Sequence, residues 1–255
     1  MSRVISDSIE KWAKIALEQK WVDKWIEEAI FPREIVFFLA ACEANGVINI
    51  IESGRQDGYS TEIIAFYVQQ QNGRAYSIDF ELDRERADRC RRRLSGNPNL
   101  AMLKGDGVTL IGSLLVADRE TPTAVLIDGP KDYLAMSVLF ATAAFPNVRV
   151  VAQHNLEIDK AELLEVRQKF VELVPKPHFY EDIDGIMGEN WARLAKAEKN
   201  RCTQIKALRS LDFSSLGLIQ VTEAHRKTLL MTTDQKFGTK QPLKFYERWQ
   251  MLSQF

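Results

Sequence analysis

The sequence predicts a doubly wound α/β fold on a mostly parallel, Rossmann-like sheet, with N-terminal helices and a C-terminal extension. Three observations carry this. From Gly46 onward, short apolar runs alternate with helix-period segments. Runs such as Ala124-Val125-Leu126-Ile127 are apolar throughout, as strands covered on both faces must be. Finally, Glu52, Asp79, Asp128 and His154 all stand at the ends of such runs. Right-handed crossovers place those ends on one edge, where open α/β sheets bind ligands.

The elements follow in order. Ile9, Trp12, Ala13, Ala16, Leu17, Trp21, Trp25 and Ile26 recur at helical spacing over 6–29, with Ser6 or Asp7 as the cap. The three tryptophans form a packing stripe for the core or for an oligomer. Pro32 suits the first turn of a second helix that runs to about Ala44 and stops at Asn45-Gly46. The periodic segments then give strand 47–52, helix 60–71, strand 74–79, helix 83–94, strand 100–104, helix 108–117, strand 123–128, helix 131–145, strand 148–153 and helix 159–173. Past 175 the rhythm breaks. His178 to Ile183 suggests a short strand, Glu189 to Leu208 a basic helix, and Leu216 to Thr222 a last strand. This divides the chain into helical residues 1–45, a sheet domain over 46–222 and a tail over 223–255 packed on it.

Composition excludes several classes of function. The chain has 255 residues, 27% of them charged, and a formal net charge of −1, so bulk charge does not argue for nucleic acid or a membrane surface. The longest apolar run, Ile35 to Cys42, is too short to span a bilayer. The start of the chain lacks a signal-peptide pattern. Cys42, Cys90 and Cys202 form neither a metal spacing nor a disulfide framework, which points to a reduced, cytoplasmic protein. The arginines between Arg84 and Arg93 are offset by Glu81, Asp83, Glu85 and Asp88, the pattern of a solvated helix face. His178 and His225 have no partner pattern and read as structural.

The chemistry concentrates in Val47 to Asp79. An apolar strand ends at Glu52, and Ser53-Gly54-Arg55-Gln56-Asp57-Gly58-Tyr59-Ser60 forms a turn with two glycines. A helix and a second strand ending at Asp79 follow. This is a βαβ unit suited to a nucleoside, with the second acid placed for ribose hydroxyls. The turn is not the G-x-G-x-x-G of nicotinamide enzymes.

This order of motifs resembles the class I S-adenosylmethionine-dependent methyltransferases over about residues 46–155, and by element order alone over 156–222. Glu52 to Ser60 looks like that family's first motif in a variant form, with Gln56 where a middle glycine often sits. The resemblance implies S-adenosylmethionine as cofactor, contacted by Glu52, Ser53, Gly54, Gly58 and Ser60. Asp79 matches the ribose-binding acid, and Asp106, in Lys104-Gly105-Asp106-Gly107, the acid that meets adenine; an acid before a helix is also a cap. Asp128-Gly129-Pro130-Lys131 looks like the D-x-x-K segment of small cation-dependent O-methyltransferases. There the acid holds a divalent metal and the lysine helps deprotonate a hydroxyl. The Asp-Asn pair that completes that metal site is here His154-Asn155. Asp128, Lys131 and His154 are thus the implied catalytic set, with Asp128, His154 and Asn155 as candidate metal ligands. Either the metal differs from Mg, or none is used and His154 is the base. The implied acceptor is a hydroxyl of a small molecule or sugar. The alternative is a catalytically silent nucleoside-binding domain acting as partner or scaffold.

Overall fold

The computed structural model describes residues 3–156, 161–183, 187–207, 213–223 and 225–226. Its centre is a six-stranded sheet in the order β3-β2-β1-β4-β5-β6. The strands are β1 (Asn49–Ser53), β2 (Ala75–Asp79), β3 (Leu100–Lys104), β4 (Thr123–Ile127), β5 (Val148–Gln153) and β6 (Gly217–Gln220). The first five are parallel, and β6 runs antiparallel to β5. The chain leaves β1 for β2 on one side and later returns to β4 on the other. The crevice between the β1 and β4 ends is therefore the switch point of the sheet.

The helices are α1 (Arg3–Glu18), α2 (Trp21–Lys24), α3 (Pro32–Ala44), α4 (Tyr59–Gln70), α5 (Arg84–Leu94), α6 (Gly107–Ala117), α7 (Asp132–Ala143), α8 (Ala161–Leu173) and α9 (Glu189–Ile205). Strand side chains alternate between faces. Ile50, Leu126, Val150 and Ala152 enter one apolar cluster with residues of α1, α3, α4 and α9. Ile51, Val125, Ile127 and Val151 enter a second with residues of α6, α7 and α8. Residues of α1 and α3 thus share a core with the sheet. Glu10 of α1 accepts from the amides of Asn190 (3.0 Å) and Trp191 (3.2 Å), capping α9.

Three expectations are corrected. The periodic stretch 6–29 is not one helix: Lys20 takes a left-handed φ of 54° between α1 and α2, and Trp25 is extended. Burial of the aromatics forces the turn, since Trp12, Trp21 and Trp25 are all buried and Trp25 stacks on Phe31 at 4.8 Å. Ser6 and Asp7 lie inside α1 rather than capping it. His178–Ile183 is not a strand. His178 makes one bridge to Leu218, and Tyr180–Asp182 close into a 3₁₀ turn capped by Asp182 on the Phe179 amide. Most of the expected tail lies outside the described residues.

Candidate functional site

The turn after β1 is organised by the acid at the end of β2. Asp79 Oδ2 accepts from the amides of Arg55 (2.8 Å) and Gln56 (3.1 Å), and Oδ1 from Glu81 (2.6 Å). A carboxylate offers about four lone-pair sites, so roughly one is left for a ligand hydroxyl. Gln56, where the resembling motif often has glycine, sits at φ 46°. Arg55 is buried, and its guanidinium bonds Ser77 O at 2.6 Å and Glu81 at 2.5 Å, locking the turn onto β2.

Both turn glycines have positive φ, and what lies against them is protein. A Cβ on Gly54 would sit 2.8 Å from the backbone of Asp128 and Gly129, and one on Gly58 would sit 2.4 Å from Cys90 Sγ. Glu52 points beneath α4, where Ser60, Thr61 and Ser77 each donate to it at 2.5 Å. Burial pushes its carboxyl up, and these hydroxyls oppose that shift. Ser53 is buried and donates to Gly129 O. Asp106 caps α6 through the Val108 amide (3.0 Å) and the Thr109 hydroxyl (3.1 Å). Of the expected cofactor set, Ser60 lines the hollow beside Asp128, Asp79 is bonded to the amides of the turn, Gly54 and Gly58 pack against protein, and Glu52 and Ser53 are held inside the fold.

Across the crevice, period-two alternation points Asp128 and His154 to the face that carries α3. His154 Nδ1 meets Asp128 Oδ1 at 2.7 Å, and His154 Nε2 lies 3.6 Å from Glu34 Oε2, an ion-pair distance just beyond hydrogen-bond reach. Lys131 Nζ donates to the same Asp128 oxygen at 2.6 Å and also to Asn155 Oδ1. The structure therefore brings Asp128, Lys131, His154 and Asn155 together. Burial alone would lower the His154 pKa, but the Asp128 and Glu34 carboxylates raise it to about 9. Burial alone would raise that of Asp128, yet His154 and Lys131 hold it well below the usual carboxylate range. At neutral pH His154 is an imidazolium.

Glu34 is the member the sequence did not offer. It lies in the first turn of α3, accepts from the Phe31 amide at 2.9 Å, and also receives the Ser215 amide at 2.5 Å and hydroxyl at 2.7 Å. In the sequence it reads as a capping acid three residues after Phe31.

A divalent ion does not fit here. The lysine ammonium already bridges the two oxygens that would ligate it, and the imidazole nitrogens both face carboxylates. Among the described residues no group of three or more His, Cys, Asp or Glu side chains could hold a metal ion. Beside Asp128 lies a small hollow with a cavity volume of about 10 Å³, walled by Arg55, Gln56, Asp57, Tyr59 and Ser60, with Ile26, Ala29 and Ile30 on the side of the N-terminal helices. The basic face of α5 is neutralised by its surroundings. Arg86 and Arg89 pair with Asp57, Arg91 with Glu81, and Arg93 with Glu62.

Fold and site together define a doubly wound, Rossmann-like protein with a small polar hollow at the switch point of its sheet. No family model and no curated protein matches the chain. Several solved structures resemble it. Cofactor-bound Rv0187 from MTB has 13% identity and a TM-score of 0.47, over 81% of this chain and 88% of that one. The O-methyltransferase TomG from Streptomyces achromogenes, in complex with SAM, has 15% identity and a TM-score of 0.45, over 84% and 89%. A putative caffeoyl-CoA O-methyltransferase from Staphylococcus aureus has 15% identity and a TM-score of 0.43, over 82% and 92%. Identities this low leave the chemistry to the residues of this chain. No helix among the described residues is long and apolar enough to cross a membrane.

Proposed function

We propose that the chain is a cytoplasmic S-adenosylmethionine-dependent methyltransferase acting on an oxygen of a small molecule or sugar. One observation supports the reading: turn residues Arg55, Gln56 and Asp57 share a small hollow with Asp128 at the β1 and β4 ends, and Asp79 accepts from the amides of that same turn. The remaining lone-pair site of Asp79 would take one ribose hydroxyl, and the 54–58 turn would carry the methionine portion. When bound, the sulfonium supplies an electrophilic methyl group. The protein's part is to align the acceptor with it and to keep water out. Ile26, Ala29 and Ile30 supply apolar cover for that purpose. Burial of all three free cysteines supports a reduced compartment.

A second reading, a silent nucleoside-binding domain, draws on two observations. Three of the Asp79 acceptor sites are spent on the loops around it, and the hollow, about 10 Å³, is far below the roughly 300–1,000 Å³ usual for a ligand pocket. Calorimetric titration with S-adenosylmethionine and S-adenosylhomocysteine tests the first reading. Binding of both, with methyl transfer to an added acceptor, supports it. Binding without transfer to any acceptor supports the second, and no binding at millimolar ligand removes the first.

A further inference from the structure

The place where the resemblance would put a divalent ion already holds a cation. Lys131 Nζ donates to Asp128 Oδ1 at 2.6 Å and to Asn155 Oδ1. The same Asp128 oxygen receives His154 Nδ1 at 2.7 Å, and His154 Nε2 has no neighbour within hydrogen-bond reach, its ion-pair partner Glu34 lying at 3.6 Å. Glu34 accepts on both oxygens, as an ionised carboxylate does. Both ring nitrogens of the buried imidazole thus face carboxylates inside the fold, and neither is turned outward for a metal or for a substrate proton. The Lys131 ammonium already sits on the oxygens of Asp128 and Asn155, so a further divalent charge would face it at close range. Two of the three ammonium N–H groups are used, and the Lys131 side chain is 47% exposed, which leaves the third to solvent or a ligand.

We infer that Lys131 is the built-in cation of this site, standing in place of a divalent metal, and that the acceptor is an oxygen anion, a carboxylate or an acidic phenol, held through a single oxygen. The inference rests on the methyl-transfer reading. No side chain of the cluster is placed to take a proton. His154 is buried with both ring nitrogens toward carboxylates, and the Asp128 oxygen that faces the cluster already meets Lys131 and His154. A neutral hydroxyl would keep its proton and remain a poor nucleophile. An acceptor that arrives as an anion needs no base, and its charge is met by the free ammonium N–H. A lysine binds one oxygen as a point charge, so a vicinal diol gains nothing here. In the transfer, an oxygen lone pair forms the C–O bond, the C–S bond breaks, and its electron pair goes to sulfur. The sulfonium becomes a thioether and no proton moves.

The test is calorimetry on the full chain with benzoate and 4-nitrophenolate, each with and without S-adenosylhomocysteine. Benzyl alcohol and methyl glucoside serve as the neutral counterparts, and Mn²⁺ binding is followed by electron paramagnetic resonance. We expect at least one anion to bind and both neutral probes to fail. Binding of benzoate alone assigns a carboxylate acceptor, and of 4-nitrophenolate alone a phenol. Lys131→Met should weaken the anion by roughly tenfold or more, Lys131→Arg should retain most of the affinity, and wild type should leave Mn²⁺ free. The inference is overturned if neither anion binds at millimolar concentration, if neutral probes bind as well as anions, if Lys131→Met changes nothing, or if wild type binds Mn²⁺ and Asp128→Asn abolishes it. Loss of S-adenosylhomocysteine binding with anion discrimination intact removes the methyl-transfer reading and leaves the cation assignment standing.

Discussion

His154 Nδ1 sits 2.7 Å from Asp128 Oδ1, and this contact fixes the charge state of the strand-end crevice. A histidine at a strand end looks like a base when only the sequence is read. Flanked by Asp128 on one side and Glu34 on the other, it becomes a buried cation that orients the aspartate instead.

That arrangement predicts a pH dependence of stability. The folded pKa of His154 is raised from 6.5 to about 9, so the stabilisation is fully present below about pH 6.5 and is lost as pH rises through 9. The groups facing the ring are Asp128 and Glu34, with Lys131 on the far side of Asp128. Denaturant unfolding between pH 6 and 9.5 should show a decline of at most about 3 kcal/mol, and His154→Gln should flatten it. A wild-type profile flat across that range, or a ring resonance titrating near ~6.5, contradicts the assignment.

Asp79 holds three amides of the loops around it, so its removal acts on the turn as well as on a ligand. Asp79→Ala should cost about 1–3 kcal/mol of stability and weaken S-adenosylhomocysteine binding more than tenfold. Unfolding midpoints and calorimetry check the two parts separately. Weakened binding at unchanged stability would mean that the amides are satisfied by water.

Gly58 is packed from inside. A valine there brings its Cβ to 2.4 Å from Cys90 Sγ at a φ of +77°, so α5 must shift away from the turn. Strain and overpacking together should cost on the order of 2–4 kcal/mol. Gly58→Ala should be milder, and Gly58→Val with Cys90→Ala milder than Gly58→Val alone. A Gly58→Val chain as stable as wild type would show that the turn relaxes freely.

The strands were legible because both of their faces are covered, which leaves uninterrupted apolar runs such as 124–127. Period-two alternation and crossover handedness then bring Asp79, Asp128 and His154 to one edge without any knowledge of loops. What the sequence hid depends on contacts between distant segments. Glu34 reaches His154 only because α3 packs across the ends of β4 and β5, and its local pattern is that of a cap. The ammonium of Lys131 between Asp128 and Asn155 is equally invisible, since the family resemblance left a metal site and a metal-free His154 base both open. The break at Lys20 was hidden because the helical period of the aromatics continues through it.

Arg33 and Glu198 give the last prediction, and it concerns how the N-terminal helices are fastened to α9. Both are buried. Glu198 accepts from the Arg33 amide at 2.9 Å and from Nε at 3.1 Å, and the guanidinium lies over Tyr180 at 4.4 Å. Burial raises the Glu198 carboxyl to about 7, against the pull of Arg33. Desolvation thus consumes much of the attraction, and the pair is not by itself a large source of stability. Removing one partner strands the other, so Glu198→Ala alone should cost about 3–5 kcal/mol, and Arg33→Met alone a similar amount. Replacing both, as Arg33→Met with Glu198→Leu, should recover most of that loss. Urea unfolding of the two singles and the double closes the cycle. Additive losses in the double variant would mean that the pair contributes more than its desolvation cost.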